Sequence, residues 1–344
     1  MTQSALAFEP GSDVLRLLEE EFRSAATDDT PGALTDLPAS IWQDGLLGPL
    51  SDFLARPGKE FRARLVRLCW ELAGRKQPPP VELPLIIEAL HAGSLIVDDI
   101  EDGSAYRRGA PALHCTYGVP IALNAGNWLY FWPARLLARL DLPPATELAL
   151  HRVIGRTLLA CHEGQALDLS VRVADLEQRK VASVVRATTE LKTGKLFELA
   201  AVLGALAAGA PSPTVRALRQ FGQGLGTGLQ MLDDLGGIVC ESRCHKGHED
   251  LVNGRATWPW AWAAERLDRM RYAKIRELGR EIAARERHPE YLSEELRAEL
   301  GDSGRDEVRR HLKGALAELQ GALGASRSLD ELSQEITLLE QSYG

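Results

Sequence analysis

Residues 83–114 read LPLIIEALHAGSLIVDDIEDGSAYRRGAPALH. The run over 83–97 is apolar nearly all round, as expected of a helix inside a bundle rather than on its surface. It ends on Asp98, Asp99, Glu101 and Asp102, four carboxylates within five positions. On a helix, Asp98 and Asp102 are one turn apart and share a face, and like charges so placed are destabilising. A cation must offset that cost, or the stretch is kept for function. Arg107 and Arg108 follow a few residues later.

Outward from this stretch the same periodicity recurs. DVLRLLEEEF, RARLVRLCWELAG, ATELALHRVIGRTLLACHEG and VRRHLKGALAELQGALG carry apolar residues three and four apart, and LFELAAVLGALAAGA is a second run apolar all round. Alternating strand patterns and Asn-Gly hairpin signals are missing. The breaks, QPPP at 77–80, LPP at 142–144 and APSP at 210–213, are short and local. The expected fold is all-α: one large helical domain over 1–344, with a motif-bearing core at about 55–262 and structural helices at about 263–344.

Forty Lys and Arg against 48 Asp and Glu give a net charge of −8, and no basic face emerges, which argues against a nucleic-acid partner. The start, MTQSALAFEPGSDVL, has no basic segment leading into an apolar core, so no secretory signal is expected. No apolar run reaches the roughly 18 residues of a membrane span. Five scattered cysteines fit a reducing compartment. The expected location is cytoplasmic.

GQGLGTG at 222–228 looks like a glycine-rich dinucleotide loop. Such a loop follows a strand, whereas both flanks here have helical periodicity. Small residues that let helices approach closely are the better reading. A second acidic pair, Asp233 and Asp234 in MLDDLGGIVCE, ends another apolar helix. Two carboxylate clusters on central helices would face each other across a bundle core, where such folds build metal sites. Oxygen ligands without neighbouring His or Cys favour Mg²⁺ held by a few carboxylates together with substrate phosphates. The competing reading, a solvated acidic face, is the usual fate of one charge run but explains two such clusters poorly. The cations Lys59, Arg62, Arg107, Arg108, Lys192, Lys246 and Arg255 stand at segment ends or in loops, and such groups suit diphosphate oxygens.

At this point the sequence resembles the trans-isoprenyl diphosphate synthases, over about residues 55–262. HAGSLIVDDIEDGSAYRRGAPALH resembles that family's first aspartate-rich motif, and GKEFRARL its early Gly-Lys-x-x-Arg element. GQALDL, KTGKLF and LQMLDD resemble three later signatures, and KGHEDLVNGRATWPW the block after the second aspartate-rich motif. DDIEDGS and LNAGNWLYF are most similar to short-chain, geranylgeranyl-type synthases.

The resemblance implies an isoprenoid-synthase bundle with a central apolar cavity, and head-to-tail prenyl transfer between an allylic diphosphate and isopentenyl diphosphate. It implies Mg²⁺ held by Asp98, Asp99, Asp102, Asp233 and Asp234. Arg107, Lys192, Lys246 and Arg255 would neutralise the allylic diphosphate. Lys59, Arg62, His91 and Arg108 would bind isopentenyl diphosphate, and Thr193 and Gln230 would turn oxygen dipoles to the allylic cation. Gln165 and Asp168 match the pattern as direct or supporting residues. The product would be geranylgeranyl or, failing that, farnesyl diphosphate, with Gly93 and Ser94 beside the growing chain and Trp128, Tyr130, Phe131 and Trp132 as candidates for its end stop. A homodimer is expected.

One departure stands out. The family's second motif carries a third aspartate where this chain has Gly237. Asp233, Gly237 and Glu241 also resemble the second metal motif of class I terpene cyclases, but a cyclase needs no isopentenyl site, and Lys59, Arg62, His91 and Arg108 are all kept. The same set argues against a non-catalytic regulatory subunit. Cys240, Cys244, His245 and His248 make a poor zinc pattern, and Trp258, Trp260 and Trp262 read as core aromatics.

Overall fold

Spacings of three and four become helices almost throughout. The computed structural model describes residues 10–24, 39–240, 243–300 and 302–342. Its elements run α1 (Pro10–Ser24), α2 (Ala39–Trp42), a π-helical turn (Gln43–Leu47), α3 (Gly48–Leu54), α4 (Phe61–Leu72) and α5 (Glu82–Asp102). A hairpin of β1 (Tyr106–Arg107) and β2 (Ala110–Pro111), α6 (Leu113–Tyr117), α7 (Val119–Ala138) and α8 (Pro144–Ser170) follow. Next come a 3-10 turn (Val173–Asp175), α9 (Gln178–Thr189), a second π-helical turn (Glu190–Gly194), α10 (Lys195–Ala207) and α11 (Ser212–Val239). The chain closes with α12 (Cys244–Val252), α13 (Trp258–Arg266), α14 (Arg269–Ala283), α15 (Glu290–Leu300), α16 (Ser303–Leu323) and α17 (Arg327–Ser342). The all-α expectation holds. Two compact units divide the chain, Met1–Arg67 with Gln77–His151 and Leu68–Lys76 with Arg152–Gly344.

In the first unit α5 packs along α7. They approach closely at Gly93: a Cβ there would stand 2.8 Å from the Gly126 carbonyl oxygen and 3.1 Å from Leu129 Cβ. The helix ends at Gly103, whose φ of 66° suits glycine. Gly103 N–H donates to the Ile100 carbonyl, and Ser104 N–H to that of Asp99 at 2.9 Å, a Schellman closure. It fixes the acidic end of the helix.

The hairpin is an element the sequence pattern did not suggest. Its two strands are two residues each, joined through Arg108 (φ 54°) and Gly109 (φ 77°). Positive φ at both central positions is what a type I′ turn requires.

In the second unit the glycines of GQGLGTG lie inside α11, as contact points. A Cβ on Gly222 would meet the Phe197 carbonyl oxygen at 2.7 Å, and one on Gly226 would meet Gly194 Cα at 2.9 Å. Gly228 is packed against Leu312 of α16. Close helix packing is thus the role of these glycines. Trp258, Trp260 and Trp262 are 4%, 1% and 0% exposed, so α13 is a core helix, as read. Among the described residues no helix is long and apolar enough to cross a membrane.

Candidate functional site

The helical phase of α5 separates its four carboxylates. Asp98 and Asp102 lie on a half-buried face with His91 and Ser94, whereas Glu101 is exposed. Asp99 points inward and is 1% exposed. Its Oδ1 accepts from Arg107 Nε at 2.7 Å and also from Arg107 Nη2, which stands 3.7 Å from Asp98 Oδ2. Asp99, expected among the metal ligands, is therefore the buried counter-ion of Arg107, and Arg107 is the cation that offsets the crowded acidic end.

The I′ turn sends the next arginine elsewhere. Arg108 lies over the Phe53 ring, 5.5 Å from its centroid, with Arg56 over the same ring at 5.4 Å. The Arg108 guanidinium would be 3.3 Å from a Cβ at Gly58, so a glycine there leaves it room. Arg56 also donates to the Arg107 carbonyl at 3.3 Å and to Asp52 Oδ1 at 3.2 Å, tying α3 to the hairpin. Burial lowers the Arg108 pKa, opposed by the Glu88 charge.

Arg62, from the first turn of α4, donates through Nη1 to His91 Nε2 at 3.1 Å. A guanidinium cannot accept, so His91 Nε2 is the acceptor and its proton sits on Nδ1. Burial, then the charges of Arg62, Arg108 and Arg107, hold His91 well below its usual range, so it is neutral. Lys59 is exposed in the loop before α4.

The second unit carries a hydrogen-bonded chain. Thr193 Oγ1 donates to Gln230 Oε1 at 2.7 Å, and Gln230 Nε2 donates to Asp234 Oδ1 at 2.7 Å. Asp234 Oδ2 accepts from Trp258 N–H at 2.9 Å, at the start of α13. Both Asp234 oxygens therefore have internal donors. Its adjacency to Asp233 suggested a ligand; the structure makes it the tie between α11 and α13. Burial pushes its carboxyl up to about 8. The folded chain thus keeps a proton that the unfolded chain releases near pH ~4. The associated stability is complete below that pH and drains as pH rises toward about 8. Urea midpoints of the metal-free protein should fall across that window, and Asp234→Asn should flatten the slope; parallel slopes in the two proteins would refute it.

Lys192 and Thr193 sit in the π-helical turn, a feature frequent at functional sites. Gly164 admits this turn: a Cβ there would meet Lys192 N at 2.8 Å. Lys192 Nζ donates to Asp168 Oδ2 at 2.8 Å, so Asp168 supports Lys192. Arg255 is 5% exposed and donates to the Asp168 carbonyl, which holds the 254–255 loop to α8. Asp233, in contrast, is part-exposed and paired with Arg243. Lys246 is half-buried on α12. Gly237, at the missing-aspartate position, faces Gly247 of α12: a Cβ on Gly237 would be 3.0 Å from Gly247 Cα. Glu241 lies outside the described residues.

Among the described residues no three His, Cys, Asp or Glu side chains form a preformed metal cage. The donors fit Mg²⁺ instead: Asp98 and Asp102 share an accessible face one turn apart, and such an ion takes its remaining ligands from phosphate and water. Sequence reasoning missed Glu88, Arg56 and Arg243. Only Glu88 left a signal, as a lone carboxylate in an apolar run.

The family model for polyprenyl synthetase matches residues 43–296. The chain belongs to that family. A geranylgeranyl diphosphate synthase of Sulfolobus acidocaldarius is 32% identical over 190 residues, 54% of this chain and 56% of that protein. A geranylgeranyl pyrophosphate synthase of Eremothecium gossypii is 31% identical over 241 residues, 64% of this chain and 70% of that protein. The matched stretch thus spans just over half of the Sulfolobus protein's length. Among solved structures, a geranylgeranyl pyrophosphate synthetase from Pyrococcus horikoshii aligns with a TM-score of 0.69 at 22% identity, over 97% of this chain and 99% of that one. A polyprenyl synthase from Caulobacter crescentus complexed with calcium and isoprenyl diphosphate aligns with a TM-score of 0.69 at 21% identity, over 99% of both chains. These likenesses establish the isoprenoid-synthase fold.

Proposed function

We infer that this polyprenyl synthetase performs head-to-tail prenyl transfer, joining an allylic diphosphate to isopentenyl diphosphate to give geranylgeranyl diphosphate and pyrophosphate. The observation that carries the reading is the pairing of Arg62 with neutral His91, with the Arg108 charge nearby: a second set of diphosphate-binding groups in addition to the carboxylates Asp98 and Asp102. An enzyme acting on one diphosphate has no use for it.

Asp98, Asp102 and Asp233 would hold Mg²⁺, which when bound supplies Lewis acidity to the leaving diphosphate. Arg107, Lys192 and Lys246 add positive charge around that diphosphate. As its C–O bond breaks, the electron pair leaves with the diphosphate oxygen and an allylic cation remains. The Gln230 amide has its oxygen toward Thr193 and its N–H toward Asp234, which fixes the oxygen dipoles of Thr193 and Gln230 before the cation forms. Arg62, Arg108, Lys59 and neutral His91 orient isopentenyl diphosphate. Its double bond attacks the cation, and the released pyrophosphate takes the proton whose loss makes the new double bond. Asp99, Asp234 and Arg255 act through the residues they hold. We take the active enzyme to be a cytoplasmic homodimer, one catalytic domain per chain.

The test is incubation with dimethylallyl, geranyl or farnesyl diphosphate, each with and without isopentenyl diphosphate, followed by product analysis. Chain growth to twenty carbons only when both substrates are present is the expected result. A hydrocarbon or alcohol made from one substrate alone would replace the reading with a cyclase, and no product under any condition with a regulatory subunit.

A further inference from the structure

The first unit's cation set surrounds a carboxylate that no step above uses. Glu88 lies one turn before His91 on α5, half-buried in a run of apolar neighbours. Its Oε1 accepts from Ala63 N–H at 3.0 Å, satisfying one of the unpaired donors in the first turn of α4. The residue before Ala63 is Arg62, which reaches His91. Glu88 and Arg108 line one cleft with Arg56, Gly58, Glu60 and Ala92. Glu88 thus anchors the turn of α4 that carries Arg62 and lines the same cleft as Arg108 of the hairpin.

We propose that Glu88 is the positioning residue of the isopentenyl diphosphate subsite: its carboxylate holds Arg62 and Arg108 together at the spacing a diphosphate needs to meet both. The proposal rests on the reading of the cation set given above. Two guanidiniums in a partly desolvated cleft repel, and long side chains so placed would splay into many rotamers. A fixed counter-charge gathers them before the ligand arrives, so less ordering is left to binding. The diphosphate then docks on two guanidiniums that the carboxylate has already gathered. The charged groups facing Glu88 are Arg62 from α4, Glu60 and Arg56 from the segment before it, and Arg108 from the hairpin, with His91 neutral on α5 itself. Burial already raises the Glu88 pKa, against the opposing charges of Arg62 and Arg108.

Glu88→Gln keeps an oxygen for Ala63 N–H and removes the charge. With the full-length protein, the KM for isopentenyl diphosphate is expected to rise about tenfold. The KM for the allylic substrate and kcat at saturation should stay within about twofold. The ratio of the variant's isopentenyl KM to the wild type's should grow with pH as the wild-type carboxylate ionises; the substrate's own titration cancels in that ratio. A purely structural role would not produce this pH dependence. Glu88→Asp, which keeps the charge on a shorter stem, is expected to fall between the two. Arg62→Ala serves as the positive control for a lost isopentenyl contact. Equal changes in both KM values, a ratio flat with pH, or an Asp variant no better than Gln would each overturn the proposal. If wild type elongates chains and Glu88→Gln matches it, Glu88 alone is misassigned. If wild type does not elongate at all, the parent reading fails, and Glu88 with it.

Discussion

Turnover in Asp98→Ala and Asp102→Ala is expected to fall about a thousandfold at saturating Mg²⁺, with folding unchanged. Both residues sit on the half-buried face of α5, where alanine would remove a proposed oxygen ligand and relieve like-charge repulsion at the helix end. The neighbouring Asp99→Ala should behave differently. Asp99 is 1% exposed and is the counter-ion of Arg107. Alanine there leaves Arg107 only its 3.7 Å contact with Asp98, a loss of about 3 kcal/mol that should lower the thermal midpoint of the 344-residue chain by about 4 °C. Kinetics and melting curves on the three variants separate the roles. Wild-type turnover in Asp98→Ala would remove it from the ligand set, and an Asp99→Ala protein as stable as wild type would deny the structural role.

The second large effect concerns Gly93 and Ser94, adjacent in sequence and opposite in consequence. Phenylalanine at Gly93 has no room, because its Cβ alone would stand 2.8 Å from the Gly126 carbonyl. The expectation that this position lines the growing chain gives way to a helix-contact role. Gly93→Phe should therefore cost about 3 kcal/mol or more through overpacking, read as a lower thermal midpoint or loss of folded protein. Ser94 lies on the half-buried face with His91 and Asp98, its hydroxyl donating to the His91 carbonyl at 2.8 Å. Ser94→Phe should fold and shorten the main product from twenty carbons to fifteen, with the first condensation intact. A folded Ser94→Phe protein whose product is unchanged would place the end stop elsewhere. Phe131, 76% exposed, is a poor candidate for that stop, which leaves Tyr130 and the Trp128–Trp132 pair.

Helix content and the order of the motifs were legible because both live in local spacing. The roles within each acidic pair were only half legible. Helical phase alone sets Asp98 and Asp102 apart from Asp99, since neighbours on a helix point about 100° apart. The same phase rule separates Gly93 from Ser94. Asp234 is different: its inward role depends on Trp258 N–H, donated from 24 positions along the chain, and no local pattern announces such a partner. The partner of Arg255 was hidden for a similar reason, because its acceptor is a backbone carbonyl, which is invisible to residue type. The hairpin escaped because two-residue strands are too short to alternate.

The glycine at position 237 changes what it means to repair this chain toward its relatives. Written as a string, DDLGG looks like a motif that has lost a letter, and an aspartate is the obvious restoration. In three dimensions the space is already let to another tenant: Gly247 lies against Gly237, and a Cβ on Gly247 would itself stand 2.8 Å from Gly237 Cα. The two positions form a lock in which neither glycine can be exchanged alone. Consensus engineering at 237 has to reseat the helix that carries Gly247 and Lys246, because Gly247 has no side chain left to shorten.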